Sequence, residues 1–179
     1  MAVKLPQSGR ARGALAAAAV AAVSLVAFTA TNLTMPWEAK RNVAYYDSIG
    51  HVWTVCYGET KGVKQGDAYT DRQCMDMLTR RLDADYLTPL RRCVPGFDLA
   101  PFSVRAAMLD LSYNVGVQTV CISTAAKEVA DQHWLSACDA MTWFNRAGGR
   151  VIPGLDLRRK NGDRTRMGEH ELCTAGIPG

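Results

Sequence analysis

Apolar and polar positions follow several different patterns along this chain. From Gly13 to Ala30 there is no charged residue, and half of the positions are Ala. Thr34-Met35-Pro36 then predicts a helix start, with Thr34 as the cap and Pro36 in the first turn. That helix carries Trp37 and Glu38 and runs to about Val43. Tyr45 to Glu59 reads as a short β-hairpin: Ser48-Ile49-Gly50 supplies the turn, and His51 to Tyr57 is rich in β-branched and aromatic residues.

A second helix begins at Thr70, where Thr70 and Gln73 have capping-box spacing. Its stripe of Cys74, Leu78, Leu82 and Tyr86 repeats every four residues, as a core face does. Further helices are predicted at about Pro101–Asn114, Ser123–Asp131 and His133–Phe144. Ala147-Gly148-Gly149 makes a turn, and Pro153-Gly154 precedes a basic last segment. One helix, a small sheet and then many helices is an α+β order, with no βαβ repeat.

The uncharged N-terminal stretch is near the lower length limit for spanning a bilayer, about 17 to 20 residues. Leu15, Val20, Val23, Leu25, Val26 and Phe28 together contribute roughly −2 to −4 kcal/mol to insertion, eroded by Gly13, Ser24, Thr29 and Thr31. Lys4, Arg10 and Arg12 precede it, which places the N-terminus in the cytoplasm. A weakly held, uncleaved anchor over residues 13–30 is favoured; a cleaved signal peptide is second, and a buried core helix third. The domain expectation is therefore a leader and anchor over 1–36 and a folded domain over 37–179. The chain is placed at the host inner membrane with its C-terminal domain periplasmic, held inactive until it is released into the periplasm.

The chain has 179 residues, and its net charge is +4. Three of its basic residues precede Trp37 and no acid does, so the remainder carries 18 basic against 17 acidic residues. A nucleic-acid partner would need that charge on the folded part, so none is expected. Cys56, Cys74, Cys93, Cys121, Cys138 and Cys173 include no CxxC pair, which argues against a metal or thioredoxin-like redox site. Their even number behind an export segment favours disulfides over buried thiols. His51, His133 and His170 show no metal spacing, and no phosphate loop or nucleophile elbow occurs. No cofactor is expected, and the chain is read as a monomer.

Glu38 and Asp47 are candidate catalytic carboxyls. A glycosidase needs one protonated acid for the leaving oxygen and one ionised group on the other face of the sugar. A partly buried helical Glu and a loop Asp suit that division. The spacing alone is common; two solvated surface acids would give it as well. Tyr113 and Trp143 are read as core, and Trp37 and Trp53 as either core or sugar platforms.

The stretch Trp37–Thr60, WEAKRNVAYYDSIGHVWTVCYGET, closely resembles the catalytic segment of phage-type lysozymes, glycoside hydrolase family 24. Glu38, Arg41, Tyr45, Asp47, Gly50, Thr54, Val55, Cys56, Tyr57, Gly58 and Thr60 fill that pattern. Ser112-Tyr113-Asn114-Val115-Gly116, Ala147-Gly148-Gly149, Pro153-Gly154-Leu155 and Arg158-Arg159 continue it in order to about Cys173. With the Ala-rich segment in front, the chain resembles signal-arrest-release endolysins.

The resemblance implies a lysozyme-like fold: a small β-sheet lobe and a larger helical lobe, preceded by an N-terminal apolar helix. It implies hydrolysis of the β-1,4 bond between N-acetylmuramic acid and N-acetylglucosamine in peptidoglycan. Glu38 would be the general acid, Asp47 the base or electrostatic partner, and Thr54 the holder of the attacking water. Asn114 and Tyr57 would bind substrate, and Arg158 or Arg159 would face Glu38. The implied disulfides are Cys56–Cys74, Cys93–Cys121 and Cys138–Cys173. A lytic transglycosylase and a non-catalytic wall-binding module are the alternatives.

Three departures from the family pattern stand out. Ala39 replaces the usual Gly. His51 lengthens the turn, placing Thr54 seven positions after Asp47 rather than six. Lys160–Met167 looks inserted, and its Asn161-Gly162 should break the closing helix.

Overall fold

The uncharged N-terminal stretch divides at Ser24. The computed structural model describes residues 8–21, 24–48 and 50–178, so Lys4, Val23 and Ile49 of the reading above lie outside the described residues. Helix α1 (Gly9–Ala21) precedes Ser24, which is extended and whose Oγ accepts from the Ala27 amide at 3.2 Å to start α2 (Leu25–Thr29). A π-helical turn over Ala30–Thr34 leads into α3 (Met35–Trp37). Pro36 lacks an N–H and crowds the carbonyl four residues back, and the helix widens just before it.

The membrane reading of residues 13–30 is therefore corrected. Among the described residues no helix is long and apolar enough to cross a membrane. Leu25, Phe28 and Leu33 are buried in the protein core, and the Phe28 ring meets Phe102 edge-on at 5.1 Å. The Arg10 guanidinium bonds Glu171 through Nε and Nη2 at 2.6 Å each and the Asp163 carbonyl at 2.7 Å, drawing α1 against the C-terminal helix. The apolar faces meet protein here, so neither an inner-membrane partner nor an anchored location follows from them.

The helix start predicted at Thr34 is also corrected. Thr34 lies inside helical backbone without a capping bond, and its buried hydroxyl donates to Asp110 Oδ1 at 2.8 Å. The helix stops at Trp37, and Glu38 is extended (φ −95°, ψ 133°) rather than helical. Strand pairing takes over next: the Ala44 amide donates to Asp67 and the Tyr69 amide to Asn42, both at 2.8 Å.

Strands β1 (Arg41–Asp47) and β2 (Val52–Cys56) form an antiparallel hairpin. Asp47 pairs with Val52, Tyr46 with Trp53 and Tyr45 with Thr54. His51 sits in the left-handed region at φ 51°, so the longer turn is absorbed before Val52. The register shifts only between Arg41 and Tyr45.

The Thr70 capping box starts α4 (Asp71–Arg81), with both reciprocal bonds present. A π-helical turn over Leu82–Leu87 joins it to α5 (Thr88–Cys93). Helix α6 (Phe102–Val115) is the axis of the helical lobe. Val104, Ala106, Ala107, Met108, Leu109 and Leu111 are all fully buried, as expected of a helix apolar around its circumference. Around it lie α7 (Val117–Cys121), α8 (Thr124–Ala130) and α9 (Trp134–Met141). A two-residue hairpin, β3 (Arg146–Ala147) with β4 (Arg150–Val151), leads to α10 (Pro153–Arg159). Gly162 has φ 66°, and a Cβ there would fall 2.0 Å from the Arg166 carbonyl, so the loop before α11 (Glu169–Ala175) folds back on itself. Trp143, read as core, is 63% exposed just beyond α9.

Disulfides join Cys56 to Cys74, Cys93 to Cys121 and Cys138 to Cys173. Restricting the unfolded chain is worth more for longer loops. The Cys138–Cys173 separation of 35 residues is the largest of the three and ties α9 to α11. Replacing both of those cysteines with Ala should lower the unfolding free energy by about 3 to 4 kcal/mol. Denaturant titration measures it; a loss below that of the Cys56–Cys74 double variant would contradict the entropic ranking.

Candidate active site

Glu38 leaves the end of α3 at the start of the β lobe, and its side chain is 27% exposed. Its Oε1 accepts from Arg158 Nη1 at 2.7 Å. Of the two arginines considered from the sequence, Arg158 is thus the one that meets Glu38. The same guanidinium grips Asp110, with Nε to Oδ2 at 3.2 Å and Nη2 to Oδ1 at 3.1 Å. Asp110 is fully buried on α6 and also accepts from Thr34. The acid's partner is therefore fixed by a two-point fork onto the core helix, a geometry guanidinium provides and ammonium does not.

Arg159 points the other way. Its Nη1 donates to Glu169, its Nη2 to Asn114 Oδ1 and its Nε to the Phe144 carbonyl. Asn114, an exposed residue near the end of α6, is thereby held by a fully buried cation. Glu169 stands between the two arginines, with Oε1 also 3.6 Å from Arg158 Nε.

Burial disfavours ionised Asp110, yet Arg158 and the bonds from Glu169, Arg158 and Thr34 outweigh it and hold the carboxyl below the usual range. Glu169 ends on the opposite side: burial pushes it well above the ordinary value, further than Arg159 and Arg158 can pull it down.

Asp47 closes β1 at the mouth of the hairpin turn, and a Cβ on Gly50 would lie 3.2 Å from its Oδ2. Thr54, 5% exposed, faces Tyr45 across the ladder; Asp47 is two residues from Tyr45, so Asp47 and Thr54 share a sheet face. Among the described residues the Thr54 hydroxyl makes only a long bond, 3.4 Å, to the Val52 carbonyl. Tyr57 is 7% exposed, and its carbonyl accepts from the Tyr113 hydroxyl. Burial raises the Tyr57 phenol, against the lowering charge of Lys40.

Three parts of this constellation escape a sequence reading built on Glu38 and Asp47. Asp110 carried a signal, being the only charge in Ala106–Val115. Glu169 had none beyond its place after an insertion. The insertion itself covers Trp37: the Met167 carbonyl accepts from the indole at 2.8 Å, and the Arg166 guanidinium lies 3.9 Å from the ring centre.

Comparison with known proteins gives the family and the fold. A family model described as phage lysozyme matches residues 35–162. The chain is 32% identical over 141 residues to the SAR-endolysin of Enterobacteria phage P21, covering 78% of each. It is also 32% identical over 158 residues to the SAR-endolysin of Pseudomonas phage phiKMV, covering 85% of this chain and 87% of the relative. Among solved structures, the active form of P1 phage endolysin Lyz aligns with a TM-score of 0.68 at 18% identity, covering 93% and 94% of the two chains. The fold is thus α+β and lysozyme-like, with a small sheet lobe and a helical lobe.

Proposed function

The chain belongs to the phage lysozyme family and has its muramidase-type, peptidoglycan-hydrolysing activity, and from that premise we propose how its residues divide the work. Glu38 is the general acid that protonates the glycosidic oxygen between N-acetylmuramic acid and N-acetylglucosamine. Asp47, at the strand end, is the base or the electrostatic partner of the sugar cation that develops as the bond breaks. Thr54 orients the attacking water with a hydroxyl that the protein engages only weakly. Asn114 lines the glycan cleft from the helical side, and the buried Tyr57 shapes its floor from the sheet side.

One observation carries this reading. Glu38 is a part-exposed carboxyl paired with a 5%-exposed arginine that is itself anchored to a fully buried aspartate. An acid held that firmly at an open edge keeps its oxygen in place while the substrate moves onto it, which is what positional catalysis requires. The same reading divides the chain near residue 36, into an N-terminal apolar helical extension and a lysozyme unit of 37–179 that carries the chemistry.

Product analysis tests the bond and the mechanism. Digested peptidoglycan should release fragments ending in reducing N-acetylmuramic acid. Fragments ending in 1,6-anhydromuramic acid would make the chain a lytic transglycosylase, and intact glycan strands would make it a binding module.

A further inference from the structure

The loop between α10 and α11 is bonded into one shape around Asp163. Its Oδ1 accepts from the Thr165 amide at 2.8 Å, the Thr165 hydroxyl at 2.9 Å and the Arg166 amide at 2.8 Å. Its Oδ2 takes the Arg166 guanidinium at Nε and Nη2, 2.8 and 2.6 Å away. These bonds, that from the Arg166 side chain foremost, hold the Asp163 carboxyl well below the ordinary range. The Asp163 amide donates back to the Arg166 carbonyl at 2.9 Å. From outside, Arg10 braces the same turn through the carbonyls of Asn161, Asp163 and Arg166.

What this loop holds is Trp37. The Arg166 guanidinium lies 3.9 Å from the centre of the indole, and the Met167 carbonyl accepts the indole N–H at 2.8 Å. A guanidinium on an aromatic face is attracted by the negative charge of the ring's π system. Held by face and by edge, the ring has its orientation fixed. Trp37 is the last residue of α3 and Glu38 the first extended one, so their Cα atoms are one trans peptide apart, about 3.8 Å. Whatever fixes Trp37 therefore fixes where Glu38 leaves the helix. Arg158 fixes the carboxyl end of the same residue. The match to the phage lysozyme family model ends at residue 162, so Arg166 and Met167 lie past it.

We propose that Arg166 is a positioning residue for catalysis: through Trp37 it fixes the backbone from which Glu38 reaches the glycosidic oxygen. The inference rests on Glu38 being the general acid. Arg166 does not need to touch the glycan, because Asp163 and the indole engage its guanidinium. A reacting group displaced by about 1 Å loses on the order of 100-fold in rate. Arg158 still holds the carboxylate when the clamp opens, so the loss expected here is smaller.

The test is Arg166→Ala in the full, disulfide-intact chain. Turnover of peptidoglycan should fall about tenfold in kcat, with KM within about twofold of the parent. Arg166→Lys, which keeps a cation able to sit on the ring, should return to within about threefold of the parent. Arg164→Ala removes the same charge from an exposed position on the same loop and should match the parent. An equal loss in Arg164→Ala would make the effect one of loop charge and overturn the proposal, as would a change confined to KM. The decisive comparison is made in Glu38→Gln. There Arg166→Ala should change the residual rate by less than about twofold, since no acid is left to place. A further tenfold loss in that background, about as large as in the parent, overturns the proposal and leaves the general-acid reading standing. Retained activity in Glu38→Gln alone would sink that reading and the inference with it, so the two failures are distinguishable. Hydrogen exchange of the Trp37 indole N–H, assigned by its disappearance in Trp37→Phe, reads the clamp without turnover. It should be at least about tenfold faster in Arg166→Ala than in the parent, and unchanged exchange overturns the proposal.

Discussion

Glu38→Gln should reduce the turnover of peptidoglycan by at least about 100-fold, within the range general acid catalysis contributes. The substitution is close to isosteric. Its carbonyl oxygen can still accept from Arg158, so the fork onto Asp110 and the fold around it should survive. What it removes is the proton for the leaving oxygen. The loss should therefore fall on kcat, with KM changed by no more than about twofold. Thermal unfolding measured beside the lytic assay separates the two effects. A variant that unfolds at the parent's temperature and cuts the wall at half the parent's rate would end the assignment of Glu38 as the acid.

Arg158→Ala should have the largest effect on stability of any single change at the site. Asp110 and Glu169 are both fully buried, and removing Arg158 strips one of its charge-compensating fork and the other of a neighbour at 3.6 Å. Breaking a buried pair from one side costs about 3 to 5 kcal/mol, because the remaining charge stays in a dry site without compensation. For a chain of this size that corresponds to a fall in Tm of roughly 6 to 20 °C. Arg158→Lys restores the charge but not the planar fork, and should recover only part of the loss. Denaturant midpoints of the three proteins give the order directly. A loss below about 1 kcal/mol for Arg158→Ala would mean that water reaches Asp110 and that the cluster is not the dry site described here.

Both expectations rest on residues that the sequence reveals unequally. Glu38 and Asp47 flank a segment whose local features are partly self-sufficient: the aromatic and β-branched hairpin strands and the turn at Gly50 form as read, whereas the helix expected to run through Glu38 to about Val43 stops at Trp37. The capping box at Thr70 and the break at Asn161-Gly162 are likewise short-range effects, and both occur where the spacing predicts them. The helix start is different. Thr34 has the composition of a cap, but Asp110, 76 residues away, takes its hydroxyl, and Ser24 caps the helix instead.

The arginine pair shows the same limit more sharply. Consecutive residues on a helix point about 100° apart, so one of Arg158 and Arg159 had to turn away from Glu38. Nothing local decides which. The choice follows from how α10 lies against α6, which puts Arg158 between Asp110 and Glu38 and leaves Arg159 to Glu169 and Asn114. The N-terminal stretch is a third case. Apolar composition states that Leu25, Phe28 and Leu33 leave water, yet lipid tails and a protein core are equivalent destinations for a transfer term that has no direction. The docking of α2 on α6 selects the core.

By itself, then, the sequence determined the hairpin, the capping box at Thr70 and the helix-rich order that follows, because caps, turns and side-chain periodicity act within a few residues. The partner of Glu38, the buried acids behind it and the destination of the apolar N-terminus were decided only by tertiary structure. Charge compensation and burial depend on which surfaces meet, and residues 76 to 120 positions apart meet only in the folded chain.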